Sequence, residues 1–132
     1  MKIRVYFAAP VILALTLTSM AVSAPASAQH IALTNSDDGR SVTASLGDDI
    51  EVRLTSFHEN GLTYTWQPPV SSDSTVLSRT ASRTAPNGDA SAVLQAENDG
   101  TTTITAQPQC RPDKGRECPS VAKQWKVTVQ VK

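Results

Sequence analysis

Apolar and polar residues alternate along most of the chain, and this period of two predicts β-strands. Successive side chains of a strand point to opposite faces, so each alternating segment can bury one face and leave the other in water. The apolar positions of the two clearest segments are Ile50, Val52 and Leu54, and Trp125, Val127, Val129 and Val131. Since each segment can bury only one face, these strands are expected to belong to sheets that pack against each other.

Further segments with the same period are separated by turn signals. They cover residues 30–34, 41–46, 62–66, 76–82, 92–96 and 102–106, with turns predicted at residues 37–40, 47–49, 86–89 and 98–100. Pro68 and Pro69 end one strand, because proline cannot donate a ladder hydrogen bond. No helix-length window between capping signals has apolar residues at a spacing of three and four. The chain is therefore predicted to be all-β, a sandwich or small barrel of about seven to nine short, mostly antiparallel strands, with Trp66 and Trp125 as the largest core side chains.

The first 28 residues have the layout of a secretory signal peptide. Lys2 and Arg4 precede an apolar run, which ends in small residues at Ala26-Ser27-Ala28. A transmembrane anchor is the alternative, but Pro10 and several hydroxyl residues make the run a poor membrane span. Cleavage is expected after Ala28, so that one domain, residues 29–132, is secreted to the periplasm, the cell surface or the medium without membrane insertion.

Charge and cysteine content narrow the classes of partner. Residues 29–132 contain ten basic and twelve acidic side chains, a net charge of −2 with no basic cluster, which favours neither nucleic acid nor an anionic membrane. Cys110 and Cys118 are the only cysteines, and in an oxidising compartment they are expected to form a disulfide.

No residue pattern indicates catalysis, a metal or a cofactor. His30 and His58 are the only histidines, and the G-x-S-x-G pattern of a nucleophilic serine is absent. The pairs Asp37-Asp38 and Asp48-Asp49 could supply calcium ligands only if they met in space, and aspartates in turns commonly bond their own backbone. The chain is therefore predicted to be a monomeric, non-enzymatic protein that binds another protein.

Binding is expected at the loops, because a sandwich collects its loops at two ends. Three long or polar connections, residues 56–61, 80–89 and 108–121, are predicted to lie at the same end. The disulfide closes the third, and a loop held in one shape loses less entropy on binding.

The order of several motifs resembles that of the chagasin-like inhibitors of cysteine peptidases. It comprises Leu46-Gly47-Asp48 followed by the alternating Ile50, Val52 and Leu54, then Tyr64-x-Trp66, a glycine turn, Arg111-Pro112 and the alternating ending Trp125, Val127, Val129 and Val131. The resemblance covers residues 42–131 and implies an immunoglobulin-like β-sandwich. It also implies that three loops occlude the active site of a papain-like peptidase without being cleaved.

The resemblance implies a binding surface made of three short segments. These are Glu59, Asn60, Gly61, Leu62 and Thr63, then Asn87 and Gly88, and then Arg111 and Pro112. The family has N-P-T-T-G in the first segment and an aromatic residue after R-P, whereas this chain has E-N-G-L-T and Asp113. Two alternatives stay open: that the first segment is only a hairpin turn, and that the chain is a secreted protein-binding or adhesion module that inhibits no peptidase.

Overall fold

The computed structural model describes residues 28–120 and 123–132. The predicted signal peptide lies outside the described residues except for Ala28. No helix in the described part of the chain is long and apolar enough to cross a membrane.

Alternating segments form strands, as predicted, and eleven strands lie within the described ranges. In chain order they are β1 His30–Leu33, β2 Ser41–Ala44, β3 Asp49–Leu54, β4 Phe57–Glu59, β5 Leu62–Trp66, β6 Val70–Ser71, β7 Leu77–Thr84, β8 Ala90–Ala96, β9 Gly100–Ala106, β10 Pro108–Pro112 and β11 Trp125–Val131. One turn of 3-10 helix, Asn35–Asp37, follows β1. The all-β class is confirmed, and the number of strands exceeds the predicted seven to nine because β4, β6 and β10 are too short or too proline-rich to show the alternation.

The strands form two four-stranded sheets and one three-stranded sheet. The first has the order β1-β3-β8-β7 and the second β2-β11-β9-β6. Two pairs, β1 with β3 and β2 with β11, are parallel, and the other pairs are antiparallel. The third sheet, β10-β5-β4, is separate from both and carries the hairpin of β4 and β5, while the loop at residues 85–89 joins β7 and β8 of the first sheet.

The core consists of the inward faces of the strands. On β8 and β11 every second residue is buried, which is the period that the sequence predicts. The largest fully buried side chains are Leu33, Ile50, Leu54, Leu77, Leu94 and Ile104, with Val52, Val127, Val129 and Val131. Burying each such side chain stabilises the fold by about 1.5–3 kcal/mol.

Both tryptophans belong to the core, as predicted. Trp66 is 8% exposed and Trp125 is 2% exposed. Their indole N–H groups donate to the backbone oxygens of Thr55 and Thr34, at 2.9 and 3.1 Å, so neither buried donor is left unpaired. Leu46, by contrast, lies beyond the end of β2 and is 55% exposed, so the predicted alternation stops at Ala44.

The aspartates of the turn before β3 bond the backbone. The carboxylate of Asp48 accepts hydrogen bonds from Ser45 N and Gln29 N, each at 2.8 Å. These bonds, the one from Ser45 first, hold the pKa of the Asp48 carboxyl below its usual value. Asp48 therefore stabilises the turn, which is the structural role predicted for aspartates at such positions.

Candidate protein-binding site

The first predicted segment is the tip of a β-hairpin. Glu59 at the end of β4 pairs with Leu62 at the start of β5, so that Asn60 and Gly61 form the turn. Their φ angles are +54° and +75°, and two positive values at the central positions define the turn type that favours asparagine followed by glycine. The interpretation of this segment as a hairpin is correct. Asn60 in this turn is exposed, whereas Gly61 is half-buried.

The second segment, residues 85–89, packs against the base of this hairpin. The backbone oxygen of Gly88 accepts from Trp66 N at 2.9 Å, and Ser56 Oγ donates to the backbone oxygen of Asn87 at 2.8 Å. Gly88 has a φ of +92°, and a Cβ atom there would lie 2.4 Å from Thr65 Cγ2. Glycine is therefore required at position 88 both by the backbone conformation and by the closeness of β5.

A carboxylate at the end of the same loop strengthens this contact. Asp89 Oδ1 accepts from Ser56 N at 2.7 Å and from Ser56 Oγ at 3.0 Å, and Asn87 Nδ2 donates to its other oxygen at 3.1 Å. The hydrogen bond from the backbone of Ser56 is the largest influence that lowers the pKa of the Asp89 carboxyl. Asp89 is thus an ionised acceptor that holds the loop to the chain between β3 and β4.

The third segment packs against the tip of the hairpin. Asp113 N donates to the backbone oxygen of Gly61 at 2.9 Å, and Asp113 Oδ2 lies 3.0 Å from His58 Nε2. The side chain of Arg116 lies across Gly61, at 2.9 Å from where a Cβ atom would stand. The side chain of Asp113, which stands where the family has an aromatic residue, is half exposed and bonded to His58.

Strand β10 and the disulfide connect this third segment to the hairpin. Cys110 pairs with Tyr64, Arg111 with Thr63 and Pro112 with Leu62. The predicted disulfide between Cys110 and Cys118 is present, and it closes the loop that contains Asp113 and Arg116. One half of the bond is therefore anchored in the sheet, whereas the sequence placed both cysteines at the ends of a loop.

Seven of the nine predicted site residues lie at the hairpin tip or in the strand paired beside it, whereas Asn87 and Gly88 lie at the other end of β5, about 13 Å away along the strand. Five belong to the hairpin tip, and Asn87 and Gly88 lie at its base. Arg111 and Pro112 pair alongside β5. Ser56, Asp113 and Arg116, which hold these segments to the hairpin, have no signal in the sequence, because their contacts join residues 31 to 55 positions apart.

The chemistry of the site is that of a rigid binding surface. Within residues 28–120 and 123–132, no three His, Cys, Asp or Glu side chains are grouped so that they could hold a metal ion. Every buried side-chain nitrogen or oxygen in that part of the chain has a hydrogen-bond partner. Such a surface can bind through shape and exposed polar groups, with little ordering required when a partner arrives.

Comparisons with known proteins support the fold. The sequence matches no protein-family model and no curated protein. The structure is similar to the crystal structure of the cysteine protease inhibitor EhICP2 from Entamoeba histolytica, with a TM-score of 0.59 and 17% identity over 83% of this chain and 100% of that one. The predicted likeness to chagasin-like inhibitors is thus confirmed at the level of the fold.

More distant similarity extends to PbICP-C, whose structure was determined in complex with falcipain-2. Its TM-score is 0.42 and its identity 14%, over 80% of this chain and 91% of that one. Amebosin has the same TM-score and 15% identity, over 78% of this chain and 98% of that one. At these values of identity a comparison concerns architecture, and a function must be argued from the site itself.

Proposed function

We propose that this chain is a secreted, monomeric binding protein that blocks papain-like cysteine peptidases with three loops and has no enzymatic activity. The observation that carries the proposal is that two segments distant in sequence are held to one hairpin, residues 113–116 at the turn Asn60-Gly61 and residues 87–89 at the base, beside Ser56 and Trp66. The likeness in fold to a cysteine protease inhibitor supports the same activity. Residues 1–28 would be removed as a signal peptide, leaving residues 29–132 as the active protein.

The turn Asn60-Gly61 would approach the catalytic cysteine of the peptidase. A cleavable peptide must lie extended in the cleft of a peptidase, whereas this turn is closed by pairing between Glu59 and Leu62. Asp113 N bonds Gly61 O at the tip, and this contact further opposes unfolding of the turn into the cleft. The chain would therefore inhibit by occlusion and stay uncut.

The two neighbouring segments would widen the contact. Asn87 and Gly88 lie at the base of the hairpin, and Arg111 and Pro112 lie in the adjacent strand near its tip. Because the loops are already held in place, few rotatable bonds would be immobilised on binding, and more of the interaction energy would appear as affinity.

One observation favours the alternative function, a protein-binding module that inhibits no peptidase. Asp113 occupies the position of an aromatic anchor and bonds to His58 and to the hairpin turn, so no large apolar side chain is presented there. Interface hot spots are commonly aromatic residues or arginine, so the third contact would differ from that of the inhibitors. The same surface would then serve another partner protein.

The decisive experiment is a titration of papain with the oxidised protein. Saturable, reversible loss of peptidase activity is expected, with the added chain intact on a gel after the assay. The activating thiol must be kept low enough to preserve the disulfide. Absence of inhibition of both papain and a second papain-like enzyme would refute this proposal, and cleavage of the chain would refute the occlusion mechanism.

A matched pair of glycine variants makes the experiment specific. Gly61→Ala would add a methyl group against Arg116 at the hairpin tip. Gly47→Ala would add one in open space just before β3, at the end of β3 that is remote from the hairpin. Their φ angles, +75° and +87°, impose a similar backbone cost on alanine. We expect Gly61→Ala to weaken inhibition about ten-fold and Gly47→Ala to leave it unchanged.

A further inference from the structure

A groove on the hairpin sheet is lined by aromatic rings and prolines, and it shares only Glu59 with the loops of the proposed inhibition. It has a volume of about 550 Å³, and its accessible apolar surface comes from Phe57, Tyr64 and Pro119, whereas Trp66, Trp125 and Pro108 border it as buried side chains. We call this the aromatic groove. Ligand sites are commonly concave and lined by aromatic side chains with a few polar groups, which is the composition of this groove.

The order of residues along the sheet explains why the rings collect there. Phe57 in β4 stands opposite Tyr64 in β5, and Pro108 in β10 stands opposite Trp66. Paired residues share a face of the sheet, and residues two apart on a strand do so as well. Tyr64 and Trp66 therefore lie on the same face, about 7 Å apart along the strand.

The rings are held by contacts with one another. Phe57 and Tyr64 are stacked, with centroids 4.7 Å apart and ring planes at 17°, and Phe57 lies 6.2 Å from Trp66. Phe57 nevertheless remains 38% exposed, which is high for an aromatic residue in a sheet. A ligand that covered this ring would gain apolar burial without any rearrangement of the groove.

The charges at the groove select the kind of ligand. Its carboxylates belong to Asp38 and Glu59, and its ammonium group is that of Lys123. Lys123 Nζ lies 3.5 Å from Asp38 Oδ2, while its side chain is 88% exposed. Glu59 is exposed and has no ion-pair partner in the described residues, so its carboxylate is available to a basic residue of a ligand at the hairpin end of the groove.

We propose that the aromatic groove binds an extended, proline-containing segment of another protein that carries one arginine or lysine near the proline. Proline rings pack on aromatic surfaces, and a polyproline II segment loses little entropy because it is already extended. Glu59 lies two residues after Phe57 on β4, on the same face and about 7 Å away. A polyproline II segment rises about 3.1 Å per residue, so the basic residue should stand about two positions from the proline that covers Phe57. This inference does not depend on peptidase inhibition.

Two tryptophans in the groove provide a direct assay. Trp66 and Trp125 are the only tryptophans in the chain, so a ligand in the groove should change the intrinsic fluorescence. The probe is a ten-residue synthetic peptide with two adjacent prolines and an arginine two positions after the second. Control peptides replace the arginine with alanine, move it to five positions away, or replace both prolines with alanine.

We expect saturable binding of the first peptide to the oxidised chain. Replacing or moving the arginine should weaken binding about two- to five-fold, the size of an exposed ion pair, and Glu59→Gln should remove that difference. Phe57→Thr keeps a good strand former while deleting the exposed ring, and it should weaken binding about ten-fold. Chemical-shift mapping on the unaltered chain should place the peptide on β4 and β5 even if the Phe57 variant does not fold.

Several results would overturn the inference. They are no saturation at millimolar peptide, equal binding of the proline-free peptide, or chemical-shift changes away from the groove. If tetramethylammonium displaced the peptide at a concentration similar to that of the peptide, the site would prefer a small cation on its aromatic rings, and the peptide inference would also be overturned. Peptide binding without papain inhibition would leave the groove proposal standing alone, so the two proposals can fail separately.

Discussion

Replacement of Gly88 by alanine should reveal how strongly the loop at residues 85–89 is fitted to the hairpin. Gly88 has a φ of +92°, and its oxygen accepts the backbone hydrogen bond of Trp66. An alanine Cβ would stand 2.4 Å from Thr65 Cγ2, 2.9 Å from Thr65 Cβ and 3.2 Å from Ser56 Cβ. The first two distances are shorter than carbon atoms tolerate, so either the loop or β5 must move.

Two costs add to give the expected magnitude. An L-residue in a left-handed conformation costs about 1–2 kcal/mol. Forcing extra carbon into a packed contact costs about 1–3 kcal/mol more, because neighbouring atoms are displaced. Gly88→Ala should therefore lower the free energy of unfolding by about 2–5 kcal/mol, whereas Gly47→Ala, with a φ of +87° and no atom within 4 Å, should lower it by the first cost alone.

The assay is denaturation of the oxidised protein by urea, followed by tryptophan fluorescence, with thermal unfolding as a second measurement. For a domain of this size each kcal/mol corresponds to about 4–8 °C in Tm. Thr65→Ser in the Gly88→Ala background removes the contacting Cγ2 atom and should recover part of the loss. If Gly88→Ala costs no more than Gly47→Ala, or if Thr65→Ser recovers nothing, the steric argument is wrong.

Two other predictions concern the bonds that brace the site. Replacing Cys110 and Cys118 together by serine should cost about 2.5 kcal/mol of unfolding free energy for a nine-residue ring, and should reduce peptidase inhibition by more than Gly47→Ala does. The pKa of the Asp89 carboxyl is lower in the folded chain than in the unfolded chain, where it is about 3.9. The ionised carboxylate therefore stabilises the fold fully above the unfolded pKa, and this stabilisation is lost as the pH falls through the folded pKa. In urea denaturation, Asp89→Asn should therefore be less stable than the unaltered chain at pH 7, and the difference should be smaller near pH 3. An equal difference at both pH values would contradict the role of Asp89 as an ionised acceptor.

The local features of this protein were determined by its sequence. Alternation at β3, β8 and β11 specified both the strands and the faces that they bury, because only one face of each segment is apolar. Asn60-Gly61 specified a tight hairpin, because asparagine and glycine tolerate the positive φ values that such a turn requires. The disulfide followed from two cysteines in a chain with a predicted export signal.

Short or proline-bounded strands escaped prediction for a physical reason. β10 begins at Pro108 and ends at Pro112, where ladder donors are missing, and it has no apolar alternation. β10 is a strand because it pairs with β5, and its own sequence gives no pattern that predicts this pairing. Without β10 the third sheet could not be foreseen, and neither could the position of the disulfide beside Tyr64.

The tertiary structure alone decided which segments meet. Asp113 lies against His58 and Gly61 across more than fifty positions, and Asp89 holds Ser56 across 33 positions. Contacts of this kind depend on how the sheets are stacked, and no local pattern of residues encodes them. The sequence therefore determined the strands and the hairpin turn, whereas the contacts of two distant loops with the tip and the base of that hairpin arose only when the sheets came together.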